Sequence, residues 1–150
     1  MKLLVIFNPN AANGRAVKKL AVIRNRFEDL GIDATYMPTA HPGHGTELVA
    51  GTGLAGFDGV VAAGGDGTVF EVLNGLYQHP RSERPPLGVL PIGTGNAFAR
   101  ELNLQGDVLK NAVDILHRGR TREVDVGFVE SADQVFYFLN IFYRRILHAH

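Results

Sequence analysis

Gly59-Val60-Val61-Ala62-Ala63-Gly64-Gly65-Asp66-Gly67-Thr68-Val69-Phe70-Glu71-Val72-Leu73-Asn74-Gly75-Leu76 is the stretch on which the fold turns. Val60 to Ala63 is a short apolar run bounded by glycine, the pattern of a buried strand. Beyond it, Val69, Val72, Leu73 and Leu76 recur at i, i+3, i+4 and i+7, so one helix face is apolar. Strand, glycine loop and amphipathic helix therefore follow one another without a break.

The same unit opens the chain. Leu3 to Phe7 is continuously apolar, and Asn8, Pro9, Asn10 and Gly14 follow it as a tight polar loop. Ala16, Leu20, Ile23, Phe27 and Leu30 then alternate at spacings of four and three, with Gly31 where a helix cap belongs. Further strands are expected at Ile32 to Met37 and Leu87 to Ile92. Helices are expected at Glu47 to Ala50, Ala97 to Leu102, and Val108 to Leu116, the last begun by Asp107 and stopped by Gly119. Five glycines between residues 43 and 56 dilute the helical propensity there, and Pro80 to Pro86 reads as a surface connection. This alternation predicts an α/β fold: an open three-layer α/β sandwich with a mostly parallel sheet and right-handed crossovers. From Arg122 the rhythm changes. Glu123 to Val129 and Gln134 to Phe142 are β-rich runs separated by Glu130 to Asp133, the pattern of a hairpin. Residues 1–123 are thus expected to form one α/β domain and residues 124–150 the incomplete start of a β-rich second domain.

Composition narrows the function classes. The 150 residues are 45% hydrophobic and 20% charged, with 15 acidic and 15 basic side chains, as in ordinary globular domains. A net charge of zero argues against nucleic acid as a partner, because gripping a polyanion needs a basic excess. Without cysteine there is no disulfide, thiolate nucleophile or sulfur-ligated metal, which suits a reducing cytoplasm. The run Met1 to Phe7 is too short for a signal-peptide core or a membrane span.

In open α/β sheets ligands lie beyond the carboxyl ends of the strands, and three loops follow apolar strands here. They are Asn8-Pro9-Asn10-Ala11-Ala12-Asn13-Gly14-Arg15, Gly64-Gly65-Asp66-Gly67-Thr68, and Pro91-Ile92-Gly93-Thr94-Gly95-Asn96. Glycine lets backbone amides approach a phosphate closely, and a helix N-terminus adds partial positive charge. Each loop alone reads equally as a plain strand-to-helix turn. Neither the spacing G-x-G-x-x-G after the first strand nor a closing Gly-Lys-Ser/Thr is present, so a Rossmann dehydrogenase and a P-loop ATPase are disfavoured. Asp66, flanked by glycines, would stand exposed at a strand end, free to hold Mg²⁺, orient a hydroxyl or form an Asx turn. Thr68 and Glu71 have the spacing of a capping box, and Glu71 equally suits the nucleotide site. Arg15 is placed to reach a phosphate, whereas Lys18, Lys19, Arg24 and Arg26 read as a solvated helix face. His41 and His44 have a spacing found in metal sites, but acidic ligands nearby are sparse, so they read as loop histidines. Asn74, on the polar helix face, bonds to a loop or to solvent.

The joint pattern of Asn8-Pro9 with Gly14, Gly64-Gly65-Asp66-Gly67-Thr68 with Glu71, Asn74 and Gly75, and Gly93-Thr94-Gly95-Asn96 with Phe98-Ala99-Arg100 resembles the diacylglycerol kinase catalytic domain family. Bacterial lipid kinases and sphingosine kinases belong to it. The resemblance runs from residue 3 to about residue 141 and implies ATP- and Mg²⁺-dependent phosphorylation of a lipid alcohol: diacylglycerol, a ceramide-like lipid or a sphingoid base. It also implies nucleotide contacts at Asn8, Pro9, Asn10, Ala11, Ala12, Gly14, Arg15, Thr39, Gly64, Gly65, Gly67, Thr68, Val69, Phe70, Glu71, Gly93, Thr94 and Asn96. Asp66 matches the aspartate near the transferred phosphate, acting through Mg²⁺ or on the acceptor hydroxyl. A cytoplasmic protein with transient peripheral membrane contact is implied.

Departures carry information. Arg15 stands where the family often has lysine, and Gly95-Asn96-Ala97 is closer to sphingosine kinases, which points away from diacylglycerol itself as acceptor. In the family, Val124-Asp125-Val126-Gly127 and Tyr137-Phe138-Leu139-Asn140 open a β-rich domain that covers the cleft and carries the general base. Residues 142–150 do not continue its pattern, so the chain looks like the N-terminal ATP-binding half. A strand such as Val135 to Phe142 lacking its partners is expected to offer an edge for homo-oligomer formation. The competing readings are a non-catalytic nucleotide-binding module and an NAD kinase-like or sugar kinase-like phosphotransferase, which shares the Gly-Gly-Asp-Gly loop.

Overall fold

Leu3, Leu4, Val5 and Ile6 are all nearly inaccessible to solvent, which consecutive strand residues achieve only when both faces of their sheet are covered. A computed structural model describes residues 1–92 and 108–139. In it this run is strand β1 (Lys2–Phe7), with β2 (Asp33–Pro38) parallel on one side and β3 (Gly59–Gly64) parallel on the other. Strand β4 (Leu87–Pro91) joins β3 in parallel, so the sheet order is β2-β1-β3-β4. Register places Val5 beside both Tyr36 and Val61.

Alternation along the strands sorts the core into two layers. Leu3, Val5, Val61, Ala63 and Leu90 pack with residues of α1 (Ala16–Asp29) and α4 (Val108–Arg118). Leu4, Ile6, Val60, Ala62 and Val89 pack with α2 (His44–Ala50) and α3 (Asp66–Leu76). The result is the expected open three-layer sandwich on a parallel sheet. Gly31, at φ +68°, and Gly119, at φ +65°, follow the ends of α1 and α4 in the left-handed conformation suited to helix caps.

Helix α2 begins at His44, earlier than Glu47, and its glycines explain why propensity undersells it. A Cβ on Gly75 of α3 would stand 2.6 Å from Val49 Cβ, so glycine there is what lets α2 approach. Three of the four basic residues of α1, Lys19, Arg24 and Arg26, also make contacts that a purely solvated face would not. Lys19 Nζ donates to the Ile92 carbonyl at 3.4 Å, the Arg24 guanidinium lies 4.3 Å from the Tyr36 ring centre, and Arg26 Nη2 lies 3.6 Å from Asp114 Oδ1. Each reaches a neighbour across the surface of the sandwich, information that periodicity does not carry.

Burial raises the Tyr36 phenol above its ordinary pKa of 10.0, against a smaller lowering by Arg24. A raised folded-state pKa gives stability that is full below the unfolded value and is lost as pH rises through the folded one. The urea midpoint of the parent is therefore expected to fall more steeply above pH 10.0 than that of Tyr36→Phe. Equal slopes would remove Tyr36 from the alkaline limb.

Past α4, β5 (Val126–Glu130) and β6 (Val135–Leu139) form an antiparallel hairpin, with Phe128 opposite Tyr137. Ser131 N–H donates to the Gln134 carbonyl at 2.8 Å and closes the turn. The first strand starts at Val126, later than the sequence suggested. The expected helix at Ala97 to Leu102, the cap at Asp107, and residues 140–142 of the second β-rich run lie outside the described residues.

Candidate functional site in the loops at the carboxyl ends of the strands

Because the four strands are parallel, their carboxyl ends share one edge of the sandwich. The chain winds outward in both directions from β1, and such a switch point opens a crevice there. A cavity of about 440 Å³ occupies the position, lined by residues of the loops after β1, β2 and β3 together with Gly67, Thr68 and Glu71 of α3. Its volume lies in the range of small-molecule sites, roughly 300–1,000 Å³. A larger, more apolar cavity of about 710 Å³ opens at the opposite end of the sheet beside Met1, Gly59 and Leu87. Parallel-sheet geometry favours the smaller one as the candidate site.

Three short connections shape its walls. Asn8 N–H donates to the Ala63 carbonyl at 3.1 Å, while Asn8 Oδ1 accepts from the Asn10 amide at 2.9 Å in an Asx turn. The loop then runs through Ala12 at φ +53°, Asn13 at φ +56° and Gly14 at φ +84° before α1. The left-handed conformation costs about 1–2 kcal/mol for an ordinary L-residue, so Ala12 holds the wall against its own preference. Ala12→Gly is expected to stabilise the chain by about 0.5–1 kcal/mol, after the entropy of glycine is allowed for, as read by denaturant midpoint. A loss of stability would show that the Ala12 methyl packs usefully. On the β2 side, Thr39 N–H donates to the Phe7 carbonyl at 2.9 Å and brings Thr39 to Pro42 to the wall.

Glycine roles separate in the loop after β3. At Gly64 a Cβ would stand 2.8 Å from Thr68 Cβ, so Gly64 makes room for the buried Thr68. At Gly67 a Cβ would meet nothing within 4 Å, so the protein itself does not require glycine there. That open space, beside the first turn of α3, is room that a ligand can use. Asp66 begins α3, exposed, between the lining residues Gly65 and Gly67. Gly65 is the N-cap and no side chain caps the helix, so the Thr68–Glu71 capping box does not form. Glu71 turns elsewhere: Oε1 accepts from the Gly43 amide at 2.6 Å and Oε2 from the Gly45 amide at 3.0 Å.

Of the residues expected to hold nucleotide, Asn8, Asn10, Ala11, Ala12, Thr39, Gly65, Gly67, Thr68 and Glu71 line the cavity. Pro9, Gly14 and Arg15 belong to the same loop without lining it. Val69 is buried in the core among sheet and α2 residues, and Phe70 lies 6.2 Å from the Phe136 ring, so neither side chain faces the cavity. Gly93, Thr94 and Asn96 lie outside the described residues. Sequence reasoning did not single out Ala40 and Pro42, which carry no chemical signature.

At the cavity rim, ligand atoms of His41, His44 and Glu47 come within 4.8 Å of one another, so an acidic neighbour is present after all. The Ala40 amide donates to His44 Nδ1 at 2.9 Å, which puts the ring proton on Nε2. Donation from His41 Nδ1 to the Pro42 carbonyl leaves its Nε2 facing Glu47 at 3.8 Å. Two lone-pair donors remain, fewer than a tetrahedral site needs.

Fold and cleft together define an open α/β domain whose loops converge on the carboxyl ends of a parallel sheet. The diacylglycerol kinase catalytic domain family matches residues 2–129, and this chain belongs to that family. It is 38% identical over 137 residues to the diacylglycerol kinase of Bacillus subtilis (strain 168), covering 91% of this chain and 43% of that protein. With the diacylglycerol kinase of Staphylococcus carnosus (strain TM300) the identity is 34% over 137 residues, covering 91% and 42%. The crystal structure of a diacylglycerol kinase from Bacillus anthracis str. Sterne superposes with a TM-score of 0.70 at 32% identity, over 83% of this chain and 42% of that one. The chain thus spans less than half the length of these relatives.

Proposed function

We propose that this chain is the nucleotide-binding part of a lipid kinase that transfers the γ-phosphate of Mg-ATP to the hydroxyl of a lipid. The observation that carries the reading is the cavity at the sheet's switch point, walled by the strained Ala12 loop and open over Gly67. The names of the relatives favour a diacylglycerol-like acceptor over NAD or a sugar.

The residues fit the group they would hold. Phosphoryl transfer asks mainly for positioning and for charge stabilisation. The Asn10, Ala11, Thr68 and Val69 amides are held internally, so the backbone amides of Ala12 and Asn13 and of Gly67 in the first turn of α3 are the donors offered to phosphate, and the α3 N-terminus adds its dipole. Mg²⁺, when bound, neutralises phosphate charge, and Asp66 is its expected ligand from this chain. Thr39, and Thr94 beyond the described residues, complete the nucleotide contacts. The acceptor lies in a bilayer, so turnover requires visits to a membrane surface. Among the described residues no helix is long and apolar enough to cross a membrane.

Titration calorimetry with Mg-ATP, followed by transfer of labelled γ-phosphate to mixed-lipid micelles, tests the reading. Gly67→Ala is expected to keep the melting temperature and to weaken Mg-ATP binding roughly tenfold, because the new methyl fills space the ligand needs. Unchanged affinity would remove the loop from the phosphate site. Absence of nucleotide binding in folded parent chain would overturn the proposal.

A further inference from the structure

Asn74 is only 6% exposed, although its helix position suggested a solvated or loop-bonding side chain. Its Oδ1 accepts from the Tyr137 backbone amide at 2.9 Å, and its Nδ2 donates to the Tyr137 carbonyl at 2.9 Å and to the Phe70 carbonyl at 2.9 Å. One carboxamide therefore meets both backbone groups of a single β6 residue, as a neighbouring strand would. The contact continues along α3 and its C-cap. Phe70 lies 6.2 Å from Phe136, and Tyr77 lies 4.0 Å from Tyr137 with the Arg84 guanidinium 4.0 Å above it. Residues 70, 74 and 77 succeed one another at i, i+4 and i+7, one stripe of the helix that begins at Asp66.

We propose that Asn74 is a positioning residue that fixes the β5–β6 hairpin on α3, holding whatever the β-rich unit brings at a set place relative to Asp66. The same carboxamide occupies the β6 edge at Tyr137, closing to strand addition the point where self-association was expected. The docking rests on the geometry alone; its consequence for phosphoryl transfer rests on the nucleotide reading of the cleft. A leucine of similar volume would leave the Tyr137 amide and carbonyl unpaired. An aspartate would be selective: its protonated carboxyl accepts and donates like the amide, whereas the carboxylate faces two carbonyl oxygens and repels them.

The test is the exchange protection factor of the Tyr137 amide in the 150-residue chain, with the Val5 amide of the central strand as a folding control. Asn74→Leu is expected to lower Tyr137 protection by tenfold or more while leaving Val5 unchanged. In Asn74→Asp the protection is expected to be low at neutral pH and to recover on acidification, as burial raises the carboxyl pKa. Among the described residues the titratable and charged groups around the site are the Tyr77 and Tyr137 phenols and Arg84, while Glu71 is turned to α2 and His79 Nε2 to the Val49 carbonyl. The parent carries all of them and serves as the pH control. Undiminished Tyr137 protection in Asn74→Leu, or a protection factor in Asn74→Asp with the pH dependence of the parent, would overturn the proposal. Should Asn74→Leu lose Val5 protection as well, the pH profile of Asn74→Asp decides. Mg-ATP affinity measured on the same parent sample keeps the readings apart, because absent binding refutes the nucleotide site and leaves the hairpin result standing.

Discussion

Asp66→Asn is expected to remove the Mg²⁺-dependent part of nucleotide affinity and to reduce lipid phosphorylation by on the order of a hundred- to a thousandfold, with the fold preserved. Asp66 is an exposed residue in the first turn of α3, outside the core. Losing its charge forfeits the favourable dipole interaction, about 0.3–1 kcal/mol. Under the kinase reading the same charge has a larger task, because a neutral carboxamide is a much weaker ligand for Mg²⁺ than a carboxylate. Two measurements divide the roles left open by sequence. If nucleotide affinity in Asp66→Asn no longer responds to Mg²⁺, the carboxylate holds the metal. If the response survives and turnover is lost, it orients the acceptor hydroxyl. Turnover at the parent rate, measured in a form of the enzyme that phosphorylates lipid, would end its catalytic assignment.

Legibility of the fold came from period and punctuation. Leu3 to Phe7 and Val60 to Ala63 are apolar without interruption, as doubly covered parallel strands are, and α1 and α3 carry clean apolar stripes. Helix α2 was harder to read because its evidence is tertiary. Its own Gly45 makes sense only once Glu71 is seen against it, where a Cβ would stand 3.0 Å from Glu71 Cβ, and a propensity scale counts such glycines as helix breakers. The hairpin was visible through its two β-rich runs, but its docking was not, since nothing in the sequence tells a buried Asn74 from a solvated one.

The site was legible as loops and less so as side chains. Motif position named a continuous run from Gly64 to Glu71, yet a helix turns successive side chains by about 100°, so neighbours in sequence cannot all face one ligand. Val69 goes to the core, Phe70 to the hairpin and Glu71 to the cavity wall. Spacing also suggested a capping box, but α3 starts at Asp66, one turn too early for Thr68 to be its cap. The Glu71 carboxylate is thereby available to the amides of another helix.

Glu71→Ala is expected to destabilise the chain by about 2–3 kcal/mol and to weaken Mg-ATP binding roughly tenfold. Its carboxylate gathers the Gly43 and Gly45 amides, and its backbone carbonyl accepts from Thr46 Oγ1 at 2.9 Å, so α2 and the loop before it are tied to α3 at one residue. Gly45 is buried, and its orphaned amide would have no ready water, whereas the exposed Gly43 recovers a solvent partner. That loop carries Thr39 to Pro42 to the cavity wall, so its loosening reaches the ligand indirectly. Glu71 also lines the cavity itself, and Glu71→Gln separates the two routes. A carboxamide keeps one acceptor but directs an NH₂ toward the other amide, so anchoring through the loop predicts intermediate losses of stability and affinity that move together. Direct contact between the Glu71 charge and the ligand predicts an affinity loss much larger than the stability loss. Thermal melts and calorimetry on the parent and both variants decide between them, and an Ala variant as stable as the parent would refute the anchoring role altogether.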